Sequence, residues 1–222
     1  MHFLIDEPYT ELKLYNFIPL ALMLTFYCAA MLWRSLRQAR RYGASGLAFV
    51  AGNRLDNLLH TVMSGLTIVQ LGQAAMHAVR AELLRPMFIV TVDFERWSLL
   101  LGALIVFASL VLIQTAQRQM GASWRMGIDY GSKPALVIHG LYRYTRNPIA
   151  LGLMLAMVGF TFVLPTYLSL GLLAASLVGL RFEVAKEERH LLRTYGSRYE
   201  NYRRKVHRFV PGIPRGTLTA YE

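Results

Sequence analysis

Residues 147–180 read NPIALGLMLAMVGFTFVLPTYLSLGLLAASLVGL, a stretch of 34 residues that contains no Asp, Glu, Lys or Arg. A bilayer core of about 30 Å is crossed by about 20 apolar residues in one helix, so this stretch is too long for a single span. Leu164-Pro165-Thr166 lies near its middle, and proline breaks a helix because it lacks an amide donor. The pattern therefore predicts a tight helical hairpin with both arms in the membrane.

Three further charge-free stretches precede the hairpin, at residues 14–33, 57–79 and 97–117. Each has the length of one membrane span. The first follows acidic rather than basic residues, so it differs from a cleaved signal peptide. The sequence predicts an all-α integral membrane protein with five transmembrane helices, the last two forming the hairpin.

The composition excludes several classes of protein. The 222 residues include 24 Lys and Arg against 13 Asp and Glu, a net charge of +11, and 55% are hydrophobic with a mean hydropathy of +0.35. Such a chain is neither an ordinary soluble domain nor disordered. The basic residues lie between apolar runs, which indicates a lipid bilayer rather than nucleic acid as the partner. Cys28 is the only cysteine, and His60 and His77 are too far apart to share an ion, so we expect no metal.

The distribution of basic residues predicts the orientation. Segments 34–56, 118–146 and 181–222 carry 5, 5 and 10 Lys and Arg, whereas segments 1–13 and 80–96 carry 1 and 3. Cytoplasmic loops are enriched in Lys and Arg, so we expect the N-terminus outside and the C-terminus in the cytoplasm. We expect a multi-pass protein of a bacterial inner membrane.

The chain is expected to form one domain, residues 1–222, because it has no internal repeats or low-complexity linkers. Residues 1–117 would supply three N-terminal spans. Residues 118–222 would form the part that binds a cofactor, including the hairpin at 147–180.

The second predicted span contains four polar side chains that are costly in hydrocarbon unless they face protein or water. These are His60, Gln70, Gln73 and His77. They either line a substrate site or form hydrogen bonds between helices.

The segment just before the hairpin has features of a helix start. Pro148 suits the first helical turn, and Asn147 suits the capping position before it. The unpaired amides of such a start, with Arg146 beside them, are able to bind an anionic group. The alternative is an interfacial anchor built from Tyr and Arg.

A second charged cluster follows the hairpin, in the stretch Glu183-Val184-Ala185-Lys186-Glu187-Glu188. The two arms have similar lengths at 1.5 Å per residue, so the returning arm brings Glu187 and Glu188 to the depth of Arg146 and Asn147. Such a cluster is either structural or a site for a zwitterion, with Glu on its ammonium and Arg on its carboxylate.

The order and spacing of these elements resemble the isoprenylcysteine carboxyl methyltransferase and phospholipid methyltransferase family over residues 120–211. The pattern is Gly140-x-Tyr142-x3-Arg146-Asn147-Pro148, then Glu187-Glu188-x2-Leu191-x3-Tyr195-Gly196-x2-Tyr199-x2-Tyr202.

The resemblance implies a methyltransferase that uses S-adenosyl-L-methionine at the cytoplasmic face. By position, Glu187 would bind the cofactor ammonium, with Glu188 supporting it, and Arg146 would orient an acidic acceptor or the cofactor carboxylate. His60, Arg181 and Glu183 are the candidate substrate residues. The remaining residues expected to line the cofactor are Leu136, Val137, His139, Gly140, Tyr142, Asn147 and Pro148.

The chain departs from the family pattern at three positions. Asn147 replaces a frequent His, and Ala150 stands where a Tyr is usual. Glu183 stands where the eukaryotic prenylcysteine enzymes have an Arg for substrate, which weakens the case for a prenylcysteine carboxylate.

Three functions are therefore considered. The first is methyl transfer to an oxygen, sulfur or nitrogen nucleophile of a lipophilic or small-molecule acceptor. The second is an NADPH-dependent membrane reductase related to sterol reductases, and the third is a non-catalytic membrane protein of the same fold.

Overall fold

The computed structural model describes residues 14–43, 54–89, 92–124, 135–210 and 212. These residues form helices without strands, apart from one isolated bridge between Phe88 and Thr166. The predicted N-terminal segment 1–13 lies outside the described residues. The helices are α1 (Ile18–Tyr27), α2 (Trp33–Tyr42), α3 (Arg54–Leu84), α4 (Val92–Met120), α5 (Pro148–Val163), α6 (Tyr167–Tyr195) and α7 (Ser197–Lys205).

Three helical segments in the described part are long and apolar enough to cross a membrane: Leu14–Arg41, Phe94–Ser123 and Tyr167–Tyr195. The apolar helix α5 is shorter, at 16 residues. Helix α3 spans 31 residues with a kink at Arg80, where φ is −140° and ψ is 62°, and its glutamines and histidines lower its hydropathy. The all-α class is confirmed, while the count of five spans stays a prediction.

The hairpin predicted at residues 147–180 is present. Helix α5 ends at Val163, and α6 begins at Tyr167 after a turn at Pro165. The hydroxyl of Thr166 accepts a hydrogen bond from the Ser169 amide at 3.0 Å, which caps α6. Gln73 of α3 donates to the same hydroxyl at 2.6 Å. The turn is therefore fixed from both sides.

Helices α4 and α5 pack closely because glycines lie between them. A Cβ atom added at Gly102 would lie 2.6 Å from the carbonyl oxygen of Gly159, and one at Gly159 would lie 2.8 Å from a methyl group of Val106. Small residues allow helix backbones to approach in this way. The contact sets the direction in which α5 leaves the site.

A π-helical turn, Cys28–Leu32, joins α1 to α2. Such a turn disturbs the regular backbone ladder and leaves carbonyl groups for other donors. Gln114 and Gln117 of α4 supply these donors, to the carbonyls of Ala29 at 2.6 Å and Ala30 at 2.8 Å. The turn thereby fixes Tyr27 and Met31 next to the site.

Candidate active site

A cavity of about 540 Å³ lies between α1, α3, α5 and α6 and the end of α4. This volume lies within the range of small-molecule sites. Ionisable side chains line one end of the cavity, and the rest is lined mainly by apolar residues with a few uncharged polar ones. The ionisable side chains are His60, Arg146, Glu183 and Glu187.

The cavity extends from this charged mouth into the apolar part of the bundle. On α6 the lining runs from Glu187 to Ser176, which is about 16 Å of helix. On α3 it runs from His60 to Gln70, which is about 15 Å. At the deep end the Tyr27 hydroxyl donates to the side-chain oxygen of Gln70 at 3.2 Å.

Glu188 is the centre of a buried charge cluster beside the mouth. Its Oε1 lies 2.9 Å from a terminal nitrogen of Arg146, and its Oε2 lies 2.6 Å from Arg208. The Asn147 amide donates to Oε1 at 3.2 Å. Burial opposes ionisation here, but the hydrogen bonds from Arg208 and Arg146 hold the pKa of Glu188 below its ordinary value. Glu188 is therefore a structural carboxylate with its oxygens already occupied.

Arg146 connects the start of the hairpin to the C-terminal strap, residues 203–210. Its guanidinium donates to Glu188 and also to the carbonyls of Arg203 at 2.8 Å and Val206 at 2.7 Å. Its backbone amide donates to the His207 carbonyl at 2.9 Å. Arg146 lines the cavity, but its donors hold the strap rather than point to a ligand.

Asn147 occupies the capping position of α5 as predicted, but its side chain does not cap the helix. Its amide instead donates to Glu188 and to the Arg208 carbonyl at 3.2 Å. Pro148 follows in the first turn, also as predicted. The amides of this turn remain without a side-chain cap at the cavity wall.

Glu187 lies in a different environment from Glu188. Its side chain is accessible from the cavity, and within the described part of the chain it has no ion pair or hydrogen bond. The charge-free part of α6 ends at Leu180, so Glu187 lies beyond the apolar segment. Desolvation of the carboxylate, with smaller contributions from the charges of Glu183 and Glu188, raises the pKa of Glu187 to about 7. A cation bound beside Glu187 would favour its ionised form.

Tyr142 lies close to Glu187. Its ring is buried, and its hydroxyl has no hydrogen-bond partner among the described residues. Its carbonyl accepts from the Tyr202 hydroxyl at 2.6 Å. Burial, with smaller contributions from Glu187 and Tyr202, raises the pKa of the Tyr142 hydroxyl, so this group remains a neutral donor.

His60 of α3 and Glu183 of α6 lie next to each other in the cavity lining. The Nδ1 of His60 lies 3.6 Å from Oε1 of Glu183, which is too long for a hydrogen bond. The other oxygen of Glu183 lies 3.9 Å from the Lys186 ammonium.

The predicted site residues fall into two groups. The cavity is lined by His60, Tyr142, Arg146, Asn147, Pro148, Glu183 and Glu187, together with Ala150. The others are not among the lining residues: Leu136, Val137, His139, Gly140, Arg181 and Glu188.

Two residues of the second group have clear structural positions. Leu136 packs against Tyr199 and Tyr202. Gly140 has a φ of +61°, and a Cβ there would overlap the side chain of Gln119. Backbone conformation and close packing therefore both require a glycine at Gly140.

Part of the lining was not predicted. Thr67 follows His60 at helical spacing, which is a recognisable signal for one face of α3. Tyr27, Met31 and Trp124 have no such signal, because helix packing alone brings them to the cavity.

The described residues define a helical membrane protein with a deep cavity, and the mouth of this cavity has a carboxylate that pairs with none of them. Comparison with known proteins agrees with this class. Residues 97–198 match the model of the family described as phospholipid methyltransferase.

Two curated relatives are methyltransferases by name. The chain is 35% identical over 102 residues to methanethiol S-methyltransferase of Mycobacterium tuberculosis, which covers 45% of this chain and 39% of that protein. It is 35% identical over 82 residues to protein-S-isoprenylcysteine O-methyltransferase of Schizosaccharomyces pombe, which covers 36% of this chain and 34% of that protein. Each match spans well under two thirds of the relative.

A solved structure shares the fold. The eukaryotic intramembrane Ras methyltransferase ICMT (isoprenylcysteine carboxyl methyltransferase) superposes with a TM-score of 0.58 at 19% identity, over 87% of this chain and 64% of that one. The predicted resemblance to the isoprenylcysteine carboxyl methyltransferase and phospholipid methyltransferase family is confirmed.

Proposed function

We propose that this chain is an S-adenosylmethionine-dependent methyltransferase that acts at the cytoplasmic membrane face on a lipophilic or small-molecule acceptor. The observation that carries the proposal is the carboxylate of Glu187, which lies in the cavity and pairs with no residue of the described ranges. The likeness of the chain to named methyltransferases supports this choice of reaction.

The residues of the cavity suit this cofactor. Glu187 offers an acceptor for its ammonium, and the Tyr142 hydroxyl offers a buried donor. Ile149 and Ala150 line the cavity from the first turn of α5, where amides lack intrahelical partners and suit a carboxylate. Ala150 leaves open the place where relatives usually have a Tyr. When bound, the cofactor supplies a methyl group on a sulfonium.

The chain contributes binding and orientation. The cluster of Arg146, Glu188 and Arg208 fixes the mouth, so that Glu187 and the start of α5 keep their separation. A donor and an acceptor held in line gain several kcal/mol relative to free reactants. The mainly apolar walls exclude water from the place where the sulfonium of the donor would lose its positive charge.

The acceptor is expected to arrive from the lipid side. Ile68 lines the cavity, is 68% exposed and belongs to the charge-free stretch 57–79. Each buried methylene contributes about 0.8 kcal/mol, so affinity should increase with the alkyl length of the acceptor. If the shortest acceptor gives the highest kcat/KM, access is from water.

Cofactor binding tests the proposal directly. Purified protein in detergent is titrated calorimetrically with S-adenosylmethionine, and its melting temperature is compared with and without NADPH. Glu187→Gln should lower the affinity for S-adenosylmethionine by more than tenfold, because one partner of a desolvated charge pair is lost. Glu200→Gln, on the surface of α7, is the matched control. Stabilisation by NADPH alone would favour a reductase, and stabilisation by neither would favour a non-catalytic protein.

Activity is tested in membranes given S-adenosylmethionine labelled in the methyl group. We expect the label in a lipid-soluble or small-molecule product, and Glu187→Gln should abolish its transfer. Label that does not leave the cofactor under any acceptor condition would contradict the proposed reaction.

A further inference from the structure

The cavity contains a second carboxylate, Glu183, one helical turn from Glu187. Residues four apart on a helix point the same way, with Cβ atoms about 5–6 Å apart, and both of these line the cavity. The lining continues along α6 from Glu183 to Leu180 and Ser176. Glu183 therefore lies between the expected ammonium site and the apolar part of the cavity.

Glu183 has one oxygen without a hydrogen-bond partner in the described part of the chain. Oε1 is buried and accepts no hydrogen bond from the described residues, and the nearest cationic candidate is the His60 ring nitrogen at 3.6 Å. A buried carboxylate oxygen without a hydrogen bond is costly, and such groups are usually satisfied by a donor. Oε1 thus lacks a hydrogen-bond donor at the place where the nucleophilic end of a methyl acceptor would meet the cavity wall.

The charge around Glu183 disfavours an anionic acceptor. Glu187 is the neighbouring carboxylate on the same face. Arg146 is the only Arg or Lys lining the described cavity, and its guanidinium is already held by Glu188 and two carbonyls. A carboxylate acceptor would meet two carboxylates and no available guanidinium, whereas a thiol or an amine brings the missing donor.

We infer that Glu183, with His60 facing it, selects an acceptor whose nucleophilic atom carries its own proton, a thiol or a neutral amine on an apolar group, rather than a carboxylate. This inference rests on the proposed function. The lone pair of the nucleophile forms the bond to the methyl carbon, and the bond from that carbon to the donor sulfur breaks with its electron pair left on sulfur. The proton of the nucleophile passes to Oε1 of Glu183 and then to water at the mouth.

The test uses three probes with the same alkyl chain: 1-octanethiol, octylamine and octanoate. The full chain in nonionic detergent is saturated with S-adenosylhomocysteine, and the shift in melting temperature is measured for each probe. The thiol, the amine or both should stabilise the protein, whereas octanoate should not. Transfer of the labelled methyl group should follow the same order. The better of the thiol and the amine should have a kcat/KM at least tenfold above that of octanoate.

Charge reversal gives the sharper arm of the experiment. Glu183→Arg should reverse the order, so that octanoate stabilises the complex and the thiol and amine do not. Glu200→Arg, outside the cavity, should keep the wild-type order. Glu183→Gln preserves the size of the side chain and should reduce the preference about tenfold, which keeps the test valid if Glu183→Arg does not fold.

The outcomes separate this inference from the proposed function. Stabilisation of the wild type by octanoate above the other probes, or an unchanged order in Glu183→Gln, overturns the inference while cofactor binding stands. A protein that S-adenosylhomocysteine and S-adenosylmethionine do not stabilise overturns the proposed function, and this inference with it.

Discussion

Glu187 and Glu188 are neighbours in the sequence, but their carboxylates have different surroundings. Successive residues on an α-helix are about 100° apart, so Glu187 faces the cavity while Glu188 faces Arg146 and Arg208. Both carboxylates were predicted to lie near Arg146 and Asn147, and that juxtaposition is confirmed for Glu188. The contact with Arg208 was not predictable, because the turn at Gly196 has to reverse the chain before Arg208 reaches Glu188. The ligand role of Glu187 stays a prediction.

Cofactor affinity should depend on pH through Glu187. Its pKa in the free protein is raised to about 7, and only the ionised carboxylate attracts an ammonium. Affinity should therefore be maximal above pH 7 and should fall about tenfold per unit below it. An α-ammonium loses its proton near pH 8, which sets the upper limit. Calorimetric titrations from pH 5.5 to 8.5 measure this dependence, and Glu187→Gln should remove its acidic limb. An acidic limb that persists in Glu187→Gln would assign the titration to another group.

Arg146 should be more important for structure than for contact with the acceptor. Arg146→Lys keeps the charge but loses the forked geometry that joins Glu188 to the two carbonyls of the strap. We expect a loss of about 2–3 kcal/mol in stability and faster trypsin cleavage near Arg203 and Arg204. Arg143→Lys, at an exposed position, is the control. Wild-type trypsin resistance in Arg146→Lys, with methyl transfer lost, would instead indicate a direct role in the reaction.

At the scale of helices, the hairpin was predictable and the inner packing was not. Its position followed from the length of the charge-free stretch and from Pro165, which are local properties. The π-helical turn at Cys28–Leu32 has no local signal, because the glutamines that stabilise it lie more than 80 residues away on α4. Two roles were considered for the polar side chains of α3, lining a substrate site or forming hydrogen bonds between helices, and the structure shows both. Gln73 binds the hairpin turn, whereas His60 and Gln70 line the cavity.

The contact between α4 and α5 should tolerate no added volume at Gly159. Gly159→Leu would force the side chain into Val106 and the backbone of Gly102. We expect a loss of at least 1–3 kcal/mol, or failure to fold, because a close-packed interface relaxes poorly. Gly171→Leu is the matched control, since a Cβ there meets nothing within 4 Å. Thermal unfolding in detergent compares the two variants, and equal melting temperatures would show that this interface adapts.

At the scale of the whole molecule, the structure relates the two ends of the bundle to each other. The Ile89 amide donates to the Pro165 carbonyl at 2.9 Å, so the end of α3 and the hairpin turn lie on the same side. The cavity mouth lies at the other end of α5 and α6. This arrangement agrees with the alternation expected for five spans.

Reporter fusions determine the absolute orientation. The 20 basic residues of the predicted inner segments, against 4 in the outer ones, place Met1 and Glu82 outside and Glu222 in the cytoplasm. Alkaline phosphatase should be active when fused after Glu82 and inactive when fused after Glu222. The opposite pattern would reverse the topology and move the cavity mouth to the other face.

The position of the C-terminal strap in the chain has a further consequence. Arg146 and Glu188 lie at the two ends of the hairpin, so their contact requires no residue after Glu188. Arg208 brings the second guanidinium to Glu188 from the strap. A chain truncated after Lys205 would therefore keep its helices and the first contact, yet would lack the second one. Loss of a few residues from the tail of the protein would thus act on the cavity mouth while leaving the helices that cross the bilayer in place.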